Sequence, residues 1–385
     1  MRAGHYQKQL TGYSAFVPKP LPPQPPITFD GELQALLSKA DRALGRLDGS
    51  IQTLPNPNLF VFMYVRKEAV LSSQIEGTQS SINDILKVEA KVFDRERPHD
   101  VNEVLNYVAA MDHGLNRLQE LPLSLRLICE IHERLLKNVR GQHNKPGEWR
   151  RTQNWIGPPG SMLAEASFVP PAPHDAMKAL GELEMFMHAD DALPALIKIG
   201  LVHAQFETIH PFLDGNGRVG RLLITFLLCQ NSILIRPVLY ISHYFKKHRA
   251  EYYERLQAIR DKGEWELWLK FFLAGIAEVS LEATETARKI VALREAHRQT
   301  IVEKFGRAAG NGLIILENLF ERPIVNVGDI SKKLNITFAA ANNMAQRLYD
   351  AKILSEITGQ QRYRVFSYQP YVSLFSSRET EDLDE

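Results

Sequence analysis

The sequence predicts a mainly α-helical protein, with one small β-hairpin inside its helical part and a helix-turn-helix module bearing a β-wing at its C-terminus. Three observations predict it. Apolar residues recur at helical spacing over most of residues 31–282, the signal of amphipathic helices packed on one another. That pattern is interrupted between Gly147 and Pro171 by two short extended runs around a Pro-Gly-rich turn. After Asn311, three short helical stretches precede two extended runs flanking Gly359-Gln360.

The chain has 385 residues, enough for two to three domains and a real core. Residues 1–30 are polar and then proline-rich from Val17 to Ile27, which predicts an extended arm; a solvated linker has the same composition. Residues 31–120 read as an N-terminal helical region. In it Asn58 to Gly77 forms one helix, with Asn58 as N-cap after Pro57 and Gly77 as the C-terminal stop. Residues 121–282 form a helical core, in which Leu193 to Ile209 is a helix delivering His210 at its end. Gly217 to Gln230 is the next, with Leu222, Leu223, Phe226 and Leu227 apolar. A polar, Ala- and Arg-rich helix over 283–310 links this core to the module at 311–370. There the helices are Leu313 to Phe320, Val327 to Leu334 and Thr337 to Ala351, and the extended runs Ile353 to Thr358 and Arg362 to Ser367. Residues 371–385 read as an acidic, disordered tail.

Composition narrows the function. The formal charge is +1, so no global field favours nucleic acid or a membrane surface. The two cysteines, Cys129 and Cys229, lie in apolar helical surroundings and read as buried thiols, with no disulfide framework or metal set. No signal-peptide pattern or membrane-length apolar run occurs, so a cytoplasmic protein is expected.

Most of the chemistry lies in residues 210–221, His-Pro-Phe-Leu-Asp-Gly-Asn-Gly-Arg-Val-Gly-Arg. Gly215 and Gly217 allow backbone N–H groups to approach phosphate oxygens, and the helix that follows offers its positive end to the same anion. Arg218 and Arg221 share one helix face and can grip neighbouring phosphates as forks. Asp214 is a hard oxygen ligand suited to Mg²⁺, and His210 can deprotonate a hydroxyl near neutral pH. Taken singly, each residue also fits a turn, a helix end or a solvated face. Together they resemble the signature of the Fic (Fido) family, His-x-Phe-x-[Asp/Glu]-Gly-Asn-Gly-Arg-x-x-Arg, at every specified position.

That resemblance implies a Fic-type helical core and an enzyme that transfers AMP from ATP to a Ser, Thr or Tyr hydroxyl of a target protein or of itself, releasing pyrophosphate. It implies His210 as general base, Asp214 as the Mg²⁺ ligand, and an anion hole from Asn216 with the backbone at Gly215 and Gly217. Arg218 and Arg221 would bind the β- and γ-phosphates, and Gln205, Pro211, Phe212 and Leu213 would complete the nucleotide site. Tyr244, Lys247 and Tyr252 would line its adenine side, although an aromatic core stripe with exposed lysines fits those three residues as well. Relatives act as kinases or move phosphocholine or UMP; the retained glycines and arginines favour AMP here. A Walker A loop is absent.

Upstream, Ser72 and Glu76 lie four apart on one helix face, and Gly77 follows. A carboxylate in a last helical turn costs about 0.3–1 kcal/mol unless a cation is near, and an ordinary surface glutamate satisfies that pattern too. Ser72-x-x-x-Glu76-Gly77 resembles the family's inhibitory motif in its N-terminal placement. This implies that Glu76 pairs with Arg221 and keeps the γ-phosphate off it; in some relatives the same glutamate orients a water that removes AMP. The runs containing Asn154, Trp155 and Ile156 and then Ser167, Phe168 and Val169 resemble the Fic flap, which docks a target segment by strand addition. An ordinary surface hairpin has the same pattern.

The C-terminal module resembles a winged helix. Its third helix holds few cations, Arg347 with Lys352 beyond it, while the wing offers Arg362 and Arg364, and Asn342 and Asn343 suit adenine edges. Contact with DNA and contact with protein both remain open, as does a homodimer, which relatives often form. The expectation is an autoinhibited, ATP- and Mg²⁺-dependent adenylyltransferase; the alternative is a DNA-binding regulator whose core senses nucleotide.

Overall fold

A computed structural model of the chain describes residues 2–10, 12–52, 57–92, 98–158, 160, 162–360 and 362–376. Two antiparallel strands open the chain, β1 (Gly4–Lys8) and β2 (Ser14–Pro18). The segment expected as an extended arm is therefore a hairpin for most of its first half. Phe16 is buried against Tyr6 and Phe168, with ring centroids 5.2 and 5.9 Å away. Arg2 pins its start, donating to Glu266 at 2.7 and 2.9 Å. Apolar contact made at a distance in sequence outweighed a local composition that signals a solvated arm.

The helical region follows as α1 (Gly31–Gln52), α2 (Asn58–Ile75), α3 (Ile82–Glu89), α4 (Val101–Arg117) and α5 (Leu125–Leu135). In α2 the capping position is Pro57, without a side-chain cap bond, so Asn58 opens the helix rather than capping it. Gly77 stops it as expected, with a left-handed φ of 96°. The core continues with α6 (Pro173–His188), α7 (Ala195–Ile209), α8 (Asn216–Gln230), α9 (Ser242–Lys247) and α10 (Arg249–Lys262). Between α5 and α6 the expected hairpin reduces to one bridge, Ile156 to Phe168, across a short 3-10 turn at Leu163–Glu165. Pro159 and Ser161 of its turn lie outside the described residues.

The linking helix is not a separate element. A single helix of 41 residues, α11 (Trp265–Phe305), runs from the core to the C-terminal module, so the expected boundary at residue 283 falls inside it. α1 packs along α11, with Lys270 bonded to Asp30 at 2.7 Å and Glu32 at 2.5 Å. The module contains α12 (Ala309–Glu321), β3 (Ile324–Asn326), α13 (Val327–Leu334), α14 (Phe338–Asp350), β4 (Ser355–Glu356) and β5 (Val365–Ser367). Its strands form one antiparallel sheet in the order β3-β5-β4.

A last helix, α15 (Gln369–Ser376), stands where the tail was expected to begin. Tyr371 and Phe375 are buried, and Phe375 meets Tyr64 of α2 edge-on at 5.3 Å. The acidic remainder, 377–385, lies outside the described residues. Among the described residues no helix is long and apolar enough to cross a membrane. The thiols of Cys129 and Cys229 are free and half-buried rather than buried, and burial pushes both up to about 12.

Candidate active site

His210 ends α7 with a left-handed backbone, φ 49° and ψ 59°. A residue with a side chain takes that conformation at a cost, so the loop beyond it has to be held. Arg150 holds it: Nε donates to the His210 carbonyl at 2.9 Å, Nη2 to Ile209 at 3.4 Å and to Pro171. The Arg150 amide donates to Pro211 O at 3.0 Å. Asn154 Nδ2 donates to the carbonyls of His210 at 3.1 Å and Phe212 at 2.8 Å.

Asn216 closes the loop from the other side. Its Oδ1 accepts from the Phe212 amide and its Nδ2 donates to the Phe212 carbonyl, both at 2.8 Å. The Phe212 ring stacks on His132, 3.6 Å between centroids, and on Trp149 at 4.7 Å. His132 Nδ1 accepts from the Gly147 amide at 2.9 Å, so Nε2 carries the proton and donates to Asp214 O at 3.0 Å. The side chains of Asn216 and Phe212, expected at the nucleotide, are thus spent on the loop's own shape. Arg150 and His132 were missed by sequence reasoning; nothing in their local pattern marks them.

Burial, reinforced by the charges of Arg260 and Arg150, pushes His210 down to about 3. Its imidazole is neutral near pH 7, and Nδ1 has no hydrogen-bond partner. Gly215 takes φ 77° to begin α8, a conformation cheap only for glycine. Beyond it the first-turn amides of α8 have no intrahelical acceptor and form an anion-binding end. Arg218 is buried and bonded to Glu103 at 3.2 Å, with Asp214 at 3.6 Å. Asp214 keeps 31% of its side chain exposed while Oδ1 accepts from the Gly215 amide at 2.6 Å. Among the described residues no three His, Cys, Asp or Glu side chains gather as a metal cage. The Asp214 carboxylate beside an anion-binding helix end suits Mg²⁺, which draws its other ligands from phosphates and water.

The segment that resembles the inhibitory motif lies against this cradle. Buried Arg221 donates from Nε to Ser72 Oγ at 2.8 Å, and from Nη2 to Ser72 O at 2.9 Å and Glu76 Oε1 at 2.7 Å. A Cβ at Gly217 would overlap Glu76 Oε1, so the carboxylate rests on the first turn of α8. Burial alone would raise the Glu76 pKa; the charge and hydrogen bond of Arg221, then the charge of Arg218, more than offset this and hold it below its ordinary 4.5. The stabilisation from this depressed pKa is complete above 4.5 and fades as pH falls through the lower folded value. Behind the pair, Glu68 accepts from Tyr107 Oη at 3.2 Å and from Ser242 Oγ at 2.5 Å. Glu68, Ser72 and Glu76 therefore form one polar stripe at a spacing of four, whose first member sequence reasoning overlooked.

The Fic/DOC family N-terminal profile matches residues 34–116, and the Fic/DOC family profile matches residues 122–228. Residues 34–116 and 122–228 are thus Fic/DOC family domains. The "Protein adenylyltransferase Fic" of Drosophila grimshawi is 29% identical over 208 residues, covering 53% of this chain and 38% of its own length. That of Drosophila yakuba is 28% identical over 262 residues, covering 65% and 47%. The chain thus spans less than half the length of these curated relatives. A Fic family protein from Desulfovibrio desulfuricans G20 shares the fold, with a TM-score of 0.59 at 18% identity over 89% of this chain and 98% of that one. A Fic domain containing signaling protein from Bacteroides thetaiotaomicron VPI-5482 does so with a TM-score of 0.51, also at 18% identity, over 67% and 96%.

The other residues expected from the Fic likeness differ in their surroundings. Gln205 Nε2 donates to Lys19 O at 2.9 Å, fastening the N-terminal segment. Tyr252 is buried, its ring 4.5 Å from that of Phe245 and its hydroxyl 2.9 Å from His203 Nε2. The neighbouring Tyr253 is the accessible ring, 41% exposed, and the charges of Glu76 and Arg221 act on it. Tyr244 is buried against Phe271 and His248, and Lys247 pairs with Glu278 at 3.3 Å. Leu213, like Asp214, stays partly exposed on the loop, while Pro211 is buried. In the flap, Trp155 is 39% exposed, Ser167 is exposed and Ile156 is half-buried, but Phe168 and Val169 turn inward. The Val169 carbonyl accepts from the Phe16 amide of β2 at 2.9 Å.

Proposed function

We propose that the chain is an autoinhibited protein adenylyltransferase, which moves AMP from ATP to a Ser, Thr or Tyr hydroxyl of a protein docked at the flap, or of itself. The observation that carries this reading is the bond from Arg221 to Glu76 across the first turn of α8. A guanidinium placed to receive a phosphate is occupied instead by a carboxylate of the same chain. The neutral His210 accepts the proton of the attacking hydroxyl; its basicity rises when the triphosphate brings negative charge beside it. The oxygen then bonds to the α-phosphorus and pyrophosphate leaves. Arg218 and Arg221, with the α8 amides, neutralise the charge that develops, which is most of what phosphoryl-type transfer asks of a protein. Asp214 would hold Mg²⁺, which when bound supplies further charge neutralisation at the phosphates.

Glu76 keeps 32% of its side chain exposed, which leaves room to orient a water for hydrolytic removal of AMP, releasing AMP and the free hydroxyl. Adenine is assigned to the side of Tyr253 and Tyr244. The C-terminal module has the helix and strand order of a winged helix, and we assign it a structural or protein-contact role. Arg347 donates to Phe305 O at 3.0 Å, while Arg364 donates to Gln346 at 3.2 Å and Asn342 at 3.1 Å. Two of the cations expected to face DNA, Arg347 and Arg364, are thus engaged internally, while Lys352 and Arg362 are exposed. A cytoplasmic setting fits the two free thiols.

Incubation with labelled ATP and Mg²⁺ tests the proposal. Glu76→Gly should label itself or added protein faster than wild type, and His210→Ala should remove the label in either background. Equal rates for wild type and Glu76→Gly would refute the inhibition.

A further inference from the structure

Glu207 stands three residues before His210 on α7 and has no part in the loop clamp, the inhibitory pair or the flap. Its residue is 6% exposed, and Oε1 has no hydrogen-bond partner. Helix α8 passes so close that a Cβ at Gly220 would overlap that same oxygen. The carboxyl is therefore pressed onto α8 one residue before Arg221. The groups around it are Arg221 on α8, Glu76 on α2, and Arg260, Tyr252 and Tyr253 on α10. On its own helix the His203 ring also lies against Gly220.

Arg221 consequently sits in the field of two carboxylates that behave differently. Glu76 reaches its guanidinium at 2.7 Å; Glu207 lies within range of its charge without a hydrogen bond to it. A buried carboxylate lacking donors is costly when ionised, unless a cation compensates. Burial raises Glu207 to about 7, with Arg221 and Arg260 opposing and Glu76 adding to the rise. Both charge states are therefore open to it near neutrality, whereas Glu76 is ionised. An anion arriving at Arg221 meets repulsion from Glu207 in one state and none in the other.

We propose that Glu207 is a positioning residue that sets the site's affinity for the nucleotide triphosphate, opposing phosphate at Arg221 when ionised and admitting it when neutral. This rests on the reading of Arg221 as the phosphate ligand. Triphosphate binding then takes up a proton from solvent at Glu207, and affinity tightens as pH falls towards about 7, levelling off once the free carboxyl is neutral. Replacing the carboxyl by an isosteric amide removes the dependence and leaves the tight form at every pH.

The test is calorimetric titration of MgATP into Glu76→Gly and into Glu76→Gly/Glu207→Gln, at one pH above 7 and one well below it, because loss of the Glu76 charge lowers the Glu207 carboxyl. The nucleotide's own terminal phosphate titrates alike in both. Glu76→Gly should bind more tightly at the lower pH, by roughly tenfold for each unit by which bound phosphate raises the carboxyl. The double variant should keep the tighter value at both. The same pH dependence in the two proteins would overturn the proposal. No binding by Glu76→Gly at either pH would remove the phosphate site itself, and this inference with it. Should circular dichroism show the double variant unfolded, repeating the Glu76→Gly titration in two buffers of different ionisation enthalpy decides the matter. Proton uptake supports the assignment, and its absence refutes it.

Discussion

Arg150 shows what a motif leaves out. The twelve residues from His210 to Arg221 were legible because their chemistry is local, with fixed offsets along one loop and one helix. What holds that loop is not local. Arg150 lies sixty residues upstream of His210, and its guanidinium is spent on backbone carbonyls, a role that any buried arginine could serve. Asn154, Asn216 and Gln205 carry a use that the sequence does not display for a related reason: their side-chain amides bond to backbone groups far from them or across the loop. Arg150→Ala should destabilise the protein by about 1–3 kcal/mol, because buried carbonyls lose their donor. It should also slow transfer by a larger factor than its effect on melting explains, since the His210 backbone is released from a strained conformation. Arg150→Lys should not restore the rate, as one ammonium cannot reproduce the fork. Thermal melts beside single-turnover labelling would check both effects.

Among the elements, α7 and α8 were read almost to the residue, because an unbroken apolar period and a glycine turn leave few alternatives. The α2 helix and its stop were equally clear. The N-terminal hairpin was not. In β1 every residue after Gly4 is exposed, so no alternation marks it as a strand, and the prolines that follow it dominate the local composition. Its anchor is Phe16, whose ring lies between the hairpin and the flap residue Phe168. Phe16→Ala should cost about 3–5 kcal/mol by loss of a buried ring, read as a lower melting temperature. Amide exchange should quicken at Val169 and Phe168 more than in α8. Uniform exchange across the chain would argue that the hairpin does not brace the flap.

At the scale of the whole molecule, the order of the C-terminal module was visible in its helix and turn spacing, but the uses of its cations were not, since they depend on tertiary partners. With Arg347 and Arg364 engaged within the protein, fluorescence anisotropy on duplex DNA should give only weak binding without sequence preference. Tight, salt-sensitive binding to one sequence would contradict that placement.

The continuity of α11 also bears on how the protein can be dissected. A cut at residue 282, which sequence periodicity recommends, would sever a rod of roughly 60 Å near its middle. The same excision would strip Phe375 from Tyr64 and leave the far end of α2 bare. A catalytic fragment prepared in that way would lack its own buttress, and its basal rate would report the damage rather than the resting enzyme.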